Sequence, residues 1–144
     1  MQRRTTVLLV EENASVRDAL EQAFKLENFF VLSFAHGREV IQNDPDYDVA
    51  VIDLNSRRNG NGLTTLRELS RLNPLLPIIL ISSYPELLNH PAAAHASARM
   101  LKPLEMPVLC RTVRDLTVLE PSCPLRDGVP NPITDRKSQP ERCQ

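Results

Sequence analysis

The sequence predicts an α/β protein built on a doubly wound parallel sheet. Short unbroken aliphatic runs recur along the chain, as in Val7-Leu8-Leu9-Val10, Val49-Ala50-Val51-Ile52 and Pro77-Ile78-Ile79-Leu80-Ile81. Such runs suit strands covered on both faces. Between them, apolar residues return at helical spacing, as in Leu63, Leu66, Leu69 and Leu72. The two patterns alternate in the order strand then helix, which argues for right-handed crossovers rather than hairpins.

The elements follow in order. Val7 to Val10 is the first strand, and Asn13 is a plausible N-cap for the helix behind it. Val16, Ala19, Leu20, Ala23 and Phe24 carry that helix to about Leu26. Phe29 to Phe34 is the second strand, and Arg38 to Gln42 is at best a short helix. The turn-rich Asn43-Asp44-Pro45-Asp46 leads into the third strand at Val49. The leucine stripe makes the third helix and stops before Pro74. Pro77 to Ile81 is the fourth strand, and Ala98 to Leu101 is a weaker fifth. Pro85 and Pro91 interrupt the segment between those two, so the fourth helix is expected to be short or irregular. Ala92-Ala93-Ala94 reads as helix packing. Pro107, at a first helical position, opens the last helix, with Leu109, Val113, Leu116 and Leu119 on one face.

Composition narrows the function. The chain has 144 residues and a net charge of −1, so bulk attraction to nucleic acid or anionic lipid is not indicated. With two Tyr, four Phe and no Trp, platforms for stacking bases are also unexpected. No segment reaches the ~20 apolar residues of a membrane helix, and no signal peptide is evident. Cys110, Cys123 and Cys143 match no zinc spacing and read as free thiols of a reducing, cytoplasmic compartment. His36, His90 and His95 show no ligand spacing and receive no role. The composition shifts at Pro121. Residues 121–144 hold five prolines and no aromatic residue, too little apolar surface to offset ordering, so a disordered tail is expected. Residues 1–5 read as an N-terminal arm and 6–120 as the domain.

In open parallel sheets, ligand chemistry gathers at the carboxyl ends of the strands. Those ends carry Glu11 and Glu12, Asp53, Ser82 with Ser83, and Lys102 followed by Pro103. Carboxylates clustered without arginine favour a divalent cation, and magnesium takes oxygen ligands. A carboxylate beside the metal could attack a phosphoryl group, with the cation and Lys102 neutralising its oxygens. Ser82 could donate a hydrogen bond to the transferred group.

At this point the chain resembles a receiver domain of two-component response regulators. The stretches that carry the resemblance are Val7-Leu8-Leu9-Val10-Glu11-Glu12-Asn13, Val51-Ile52-Asp53-Leu54, Ile79-Leu80-Ile81-Ser82-Ser83 and Leu101-Lys102-Pro103-Leu104. The resemblance implies a flavodoxin-like (βα)5 fold, with strand order 2-1-3-4-5. It implies that Asp53 is phosphorylated by a sensor histidine kinase or phosphotransfer protein, with Lys102 and Ser82 contacting the phosphoryl group. It further implies that Glu11, Glu12, Asp53 and the main-chain carbonyl of Asn55 hold Mg2+, and that the Lys102–Pro103 bond is cis. Signalling would run through protein contacts, to an unidentified target, without direct nucleic-acid or membrane binding. Catalysis would be limited to self-phosphorylation from a phosphodonor and slow autodephosphorylation. Receivers can also pair through the fourth helix, fifth strand and fifth helix, so a homodimer is one expectation.

Several positions depart from the family's pattern. Glu11 and Glu12 stand where Asp is usual, and the extra methylene is expected to weaken magnesium binding. Arg57 replaces a proline, and Asn61-Gly62 arrives one residue late. Arg57 and Arg58 read better as solvated side chains than as anion contacts. Arg99 occupies the place of the usual switch aromatic. These departures sustain an alternative, a degenerate receiver that acts as a binding module without phosphorylation. A phosphohydrolase using an aspartate nucleophile ranks last, because Asn55 stands where a second Asp would be needed.

Overall fold

The computed structural model describes residues 4–54 and 61–118. Five strands form one parallel sheet: β1 (Thr6–Val10), β2 (Phe30–Phe34), β3 (Val49–Leu54), β4 (Ile78–Ser82) and β5 (Ala98–Leu101). Their spatial order is β2-β1-β3-β4-β5, as the family resemblance implied. The helices are α1 (Ala14–Leu26), α2 (Gly37–Asn43), α3 (Asn61–Leu72), α4 (Pro85–Leu88) and α5 (Met106–Val118), with a 3-10 helix at Pro91–His95. Contacts separate a compact unit that ends at Val113, inside α5, from Arg114 onward. None of the described helices is long and apolar enough to cross a membrane.

The burial explains the sequence pattern. Every residue of β3 and β4 is buried, as are four of the five in β1. Side chains alternate across a strand, so these runs fill both layers. Leu8, Val10, Ala50, Ile52, Ile78 and Leu80 pack with Val40 of α2 and Leu63, Leu66 and Leu69 of α3. Val7, Leu9, Val51, Ile79 and Ile81 face the opposite way, and Leu20 and Phe24 of α1 are buried too. The α1 end is closed by Asn28 at φ 70° and by Phe29, whose amide donates to the Phe24 carbonyl at 3.1 Å. The Phe24 and Phe29 rings meet edge to face, with centroids 5.9 Å apart. Phe29 therefore belongs to the turn, and β2 starts one residue later than the apolar run suggests.

The proline-interrupted segment behaves as expected. Pro85 opens a single turn, α4, and Pro91 opens the 3-10 helix. Arg99 Nη1 donates to the Leu88 carbonyl at 3.3 Å and so satisfies an acceptor at the end of that turn. α5 starts at Met106, which places Pro107 at its second position rather than its first. Gly62 lies inside the first turn of α3. There a Cβ would overlap the Leu54 side chain.

Gly37 fixes a similar close approach, between α2 and α3, because a Cβ there would overlap the buried Thr65 side chain. Overpacking of this kind costs about 1–3 kcal/mol. Gly37→Ala is expected to lower the unfolding free energy by that amount, seen as a lower denaturant midpoint with the m-value unchanged. Adding Thr65→Ala should recover part of the loss, which a double-mutant cycle by urea denaturation measures.

Candidate functional site

The parallel sheet brings β1, β3, β4 and the residue after β5 to one rim. The extended chain leaving β1 turns successive side chains to opposite sides. Glu11 consequently points inward and has no exposed surface, whereas the Glu12 side chain is about one-third exposed. The loop is held by its own backbone. The Glu11 amide donates to the Phe34 carbonyl at 3.0 Å, and the Asn13 amide donates to Glu11 Oε2 at 2.9 Å. Asn13 caps α1, accepting from the Val16 amide at 3.1 Å. Arg17, one turn into α1, reaches back and donates to the carbonyls of Glu11 at 2.8 Å and Glu12 at 3.4 Å.

Asp53 is the fifth residue of β3 and is 6% exposed. Lys102 follows β5, and its amide donates to the Ser82 carbonyl at 2.8 Å. The Lys102–Pro103 peptide is cis, as expected. From this position Lys102 Nζ lies 2.6 Å from Asp53 Oδ2 and 3.9 Å from Glu11 Oε1. Two buried carboxyls thus face one ammonium. Both Asp53 oxygens are shut off from water, and beyond the Lys102 ammonium at Oδ2 they call for a further donor. A proton on Glu11 supplies one. Burial first, and then this hydrogen bond to Asp53, push the Glu11 carboxyl up to about 8, against the opposing pull of the Asn13 amide.

Ser82 has no exposed surface, and its hydroxyl is committed at both ends. Oγ donates to the Leu54 carbonyl at 2.6 Å and accepts from the Tyr84 amide at 3.0 Å. It ties the end of β3 to the loop that opens α4.

The structure thus brings Glu11, Asp53 and Lys102 together and places Ser82 on the next strand beyond them. Glu12 lies at the edge of the rim, where its Oε2 is 3.6 Å from His36 Nδ1. Among the described residues, no group of three or more His, Cys, Asp or Glu side chains is arranged to hold a metal ion. Asn55, Arg57 and Arg58 lie outside the described residues, as do Cys123, Cys143 and the tail. The pair Glu11 and Asp53 still fits magnesium by its chemistry. Two hard oxygen donors share a pocket with the Lys102 ammonium, and magnesium is commonly held by one or two carboxylates plus water and phosphate oxygens. Sequence reasoning missed Arg17 and His36. Arg17 stands four residues after the N-cap, a position that returns toward the rim, but spacing alone does not identify a carbonyl clamp.

The raised Glu11 value has a consequence for stability. Between the ordinary value of 4.5 and about 8, the folded chain holds a proton that the unfolded chain releases. The contribution is complete below that window and declines as pH rises through it. In metal-free buffer, Glu11→Gln should match the parent near pH 5 and exceed it near pH 8.5. Denaturation midpoints across this pH range check the crossover.

Comparison with known proteins agrees with the geometry. The response regulator receiver domain family matches residues 7–114. A cyclic di-GMP phosphodiesterase from Thermotoga maritima is 26% identical over 106 residues, covering 72% of this chain and 28% of that protein. The chain therefore spans little more than a quarter of that relative. Among solved structures, the response regulator protein TrrA from Thermotoga maritima, in complex with Mg2+-BeF, superposes with a TM-score of 0.71 at 19% identity, over 78% of this chain and 98% of that one. A putative response regulator from Chloroflexus aurantiacus gives 0.71 at 22% identity, over 81% and 99%. At such identities these likenesses establish the fold. With the family match spanning most of its length, the chain belongs to the response regulator receiver domains.

Proposed function

We propose that this receiver accepts a phosphoryl group on Asp53 from a sensor histidine kinase or phosphotransfer protein, and that it signals through protein contacts in the cytoplasm. The observation that carries the reading is the buried Asp53 carboxylate, 2.6 Å from Lys102 Nζ at the carboxyl end of a central strand. An Asp53 oxygen forms the new bond to phosphorus as the bond from phosphorus to the donor breaks, and the donor atom leaves with its electron pair. Lys102 is already beside the carboxylate and neutralises charge on the incoming oxygens without reorganisation. Arg17 keeps the Glu11 and Glu12 carbonyls in place while the side chains adjust.

Glu11 and Asp53 would hold Mg2+, with Glu12 and the Asn55 carbonyl as further oxygen donors. The bound cation supplies neutralisation of the clustered carboxylates and the phosphoryl oxygens. Release of the Glu11 proton accompanies that exchange, since a carboxylate is the ligand form. The Ser82 hydroxyl reaches the phosphoryl group only by leaving the Leu54 carbonyl. That move also withdraws the acceptor from the Tyr84 amide and loosens the start of α4. Receiver function is assigned to residues 6–120.

Incubation with Mg2+ and acetyl phosphate should raise the intact mass by one phosphoryl group, and Asp53→Asn should abolish the gain. No gain at any magnesium concentration would leave a receiver that does not take phosphate. Lys102→Met should slow the gain by about 10- to 100-fold, the value of one charge-assisted contact of ~1.5–3 kcal/mol. Ser82→Ala should still be phosphorylated. It should nonetheless lose about 1–3 kcal/mol of stability, because the buried Leu54 carbonyl loses its donor.

A further inference from the structure

We propose that the open pocket between α2 and α3, at the amino ends of β3 and β4, is a docking site for a partner protein that presents a basic side chain flanked by apolar residues. Tyr47 precedes β3 and Leu76 precedes β4, whereas Asp53 stands near the carboxyl end of β3. The surface is therefore at the far end of the strands from the phosphoryl rim and needs none of its residues. The cavity measures about 210 Å3. Small-molecule sites run to ~300–1,000 Å3, so the space suits one long side chain rather than a whole small ligand. Its apolar wall includes Ile41 of α2, Leu69 and Leu72 of α3, and Leu76, and its polar wall includes Asp44, Asp46 and Tyr47.

The backbone that carries the two acids is held. Asp44 ends α2 at φ 45°, and its amide donates to the Val40 carbonyl at 2.8 Å. Asp48, two residues past Asp46, is committed to β1 and accepts from the Thr6 amide at 2.8 Å. Asp44 and Asp46 have no ion pair among the described residues. Burial first, and then the Asp44 charge, push the Tyr47 hydroxyl above its ordinary range, so it stays a neutral donor. Unbalanced carboxylates call for a cation, and an aliphatic wall calls for a stem of methylenes. Lysine and arginine combine the two. The mouth of the pocket adds a separate observation. Ile41, Leu72 and Leu75 are 37%, 57% and 91% exposed. Leu75 sits beside the lining residue Asn73, whose Oδ1 accepts from the Leu75 amide at 3.3 Å. Large apolar side chains gathered around one pocket mark a contact surface, which the partner's flanking residues would cover.

Amide shifts of the isotope-labelled full chain test this with two blocked peptides. One carries a single arginine between two leucines, and the other has citrulline in place of the arginine. The arginine peptide should shift Asp44, Asp46, Leu72 and Asn73, and the citrulline peptide should bind about three- to tenfold more weakly, the range of one or two exposed ion pairs. Asp44→Asn combined with Asp46→Asn should erase that difference, since asparagine also accepts the left-handed backbone at position 44. Leu75→Ser should weaken both peptides to a similar degree. Equal binding of the two peptides by the parent overturns the proposal, as does a preference that survives the paired asparagine substitutions, or shifts that fall elsewhere. Blocked arginine alone binding as tightly as the full peptide would make this a pocket for small cations and would overturn it too. No arm uses phosphorylation, so failure here and failure of the Asp53 reading are separate results.

Discussion

A surplus of negative charge shut away from water governs this molecule. Glu11 and Asp53 are both buried, and among the described residues the Lys102 ammonium lies 2.6 Å from Asp53 and 3.9 Å from Glu11. Moving charge out of water is costly, and one ammonium balances one carboxylate. The second acid responds by keeping its proton toward pH 8. A pocket in that condition is poised for more positive charge. That requirement, rather than any single distance, is what the proposed cation and phosphoryl group would answer.

The rest of the fold serves to maintain that crowding. Parallel strands deliver their carboxyl ends to the same side, and the buried aliphatic runs of β1, β3 and β4 make those ends rigid. Helix packing at Gly37 and Gly62 leaves no space for even a methyl group. Around the pocket the described loops are bound backbone to backbone or by side chains onto carbonyls, with Arg17 on the β1–α1 turn and Ser82 on Leu54. The opposite situation holds at α4. It is one turn long, bounded by prolines, and its ends depend on the Ser82 hydroxyl through Tyr84 and on Arg99 through Leu88. A change in the Ser82 hydroxyl therefore falls on an element only one turn long.

Much of this was legible in the residues. Aliphatic runs and the leucine stripe located the central strands and α3, because burial on both faces leaves an unmistakable pattern. The prolines at 85 and 91 announced the broken fourth helix. Sheet order came from the family resemblance and not from periodicity, since parallel strands carry no mark of their neighbours. Which of Glu11 and Glu12 is buried was not legible in the residues. Composition cannot say which of two adjacent acids turns inward; the pleat at the end of β1 decides it. His36 was passed over for the same reason. Its relation to Glu12 exists only because β1 and β2 are paired, twenty-four positions apart in the chain.

The account stands most directly on where a phosphoryl mimic and a cation settle. A crystal structure grown with Mg2+ and beryllofluoride should show the fluoride complex bonded to an Asp53 oxygen, Lys102 against its fluorines, and the metal between Asp53 and Glu11. Beryllofluoride absent from Asp53, or a magnesium ion bound away from Glu11, would contradict it.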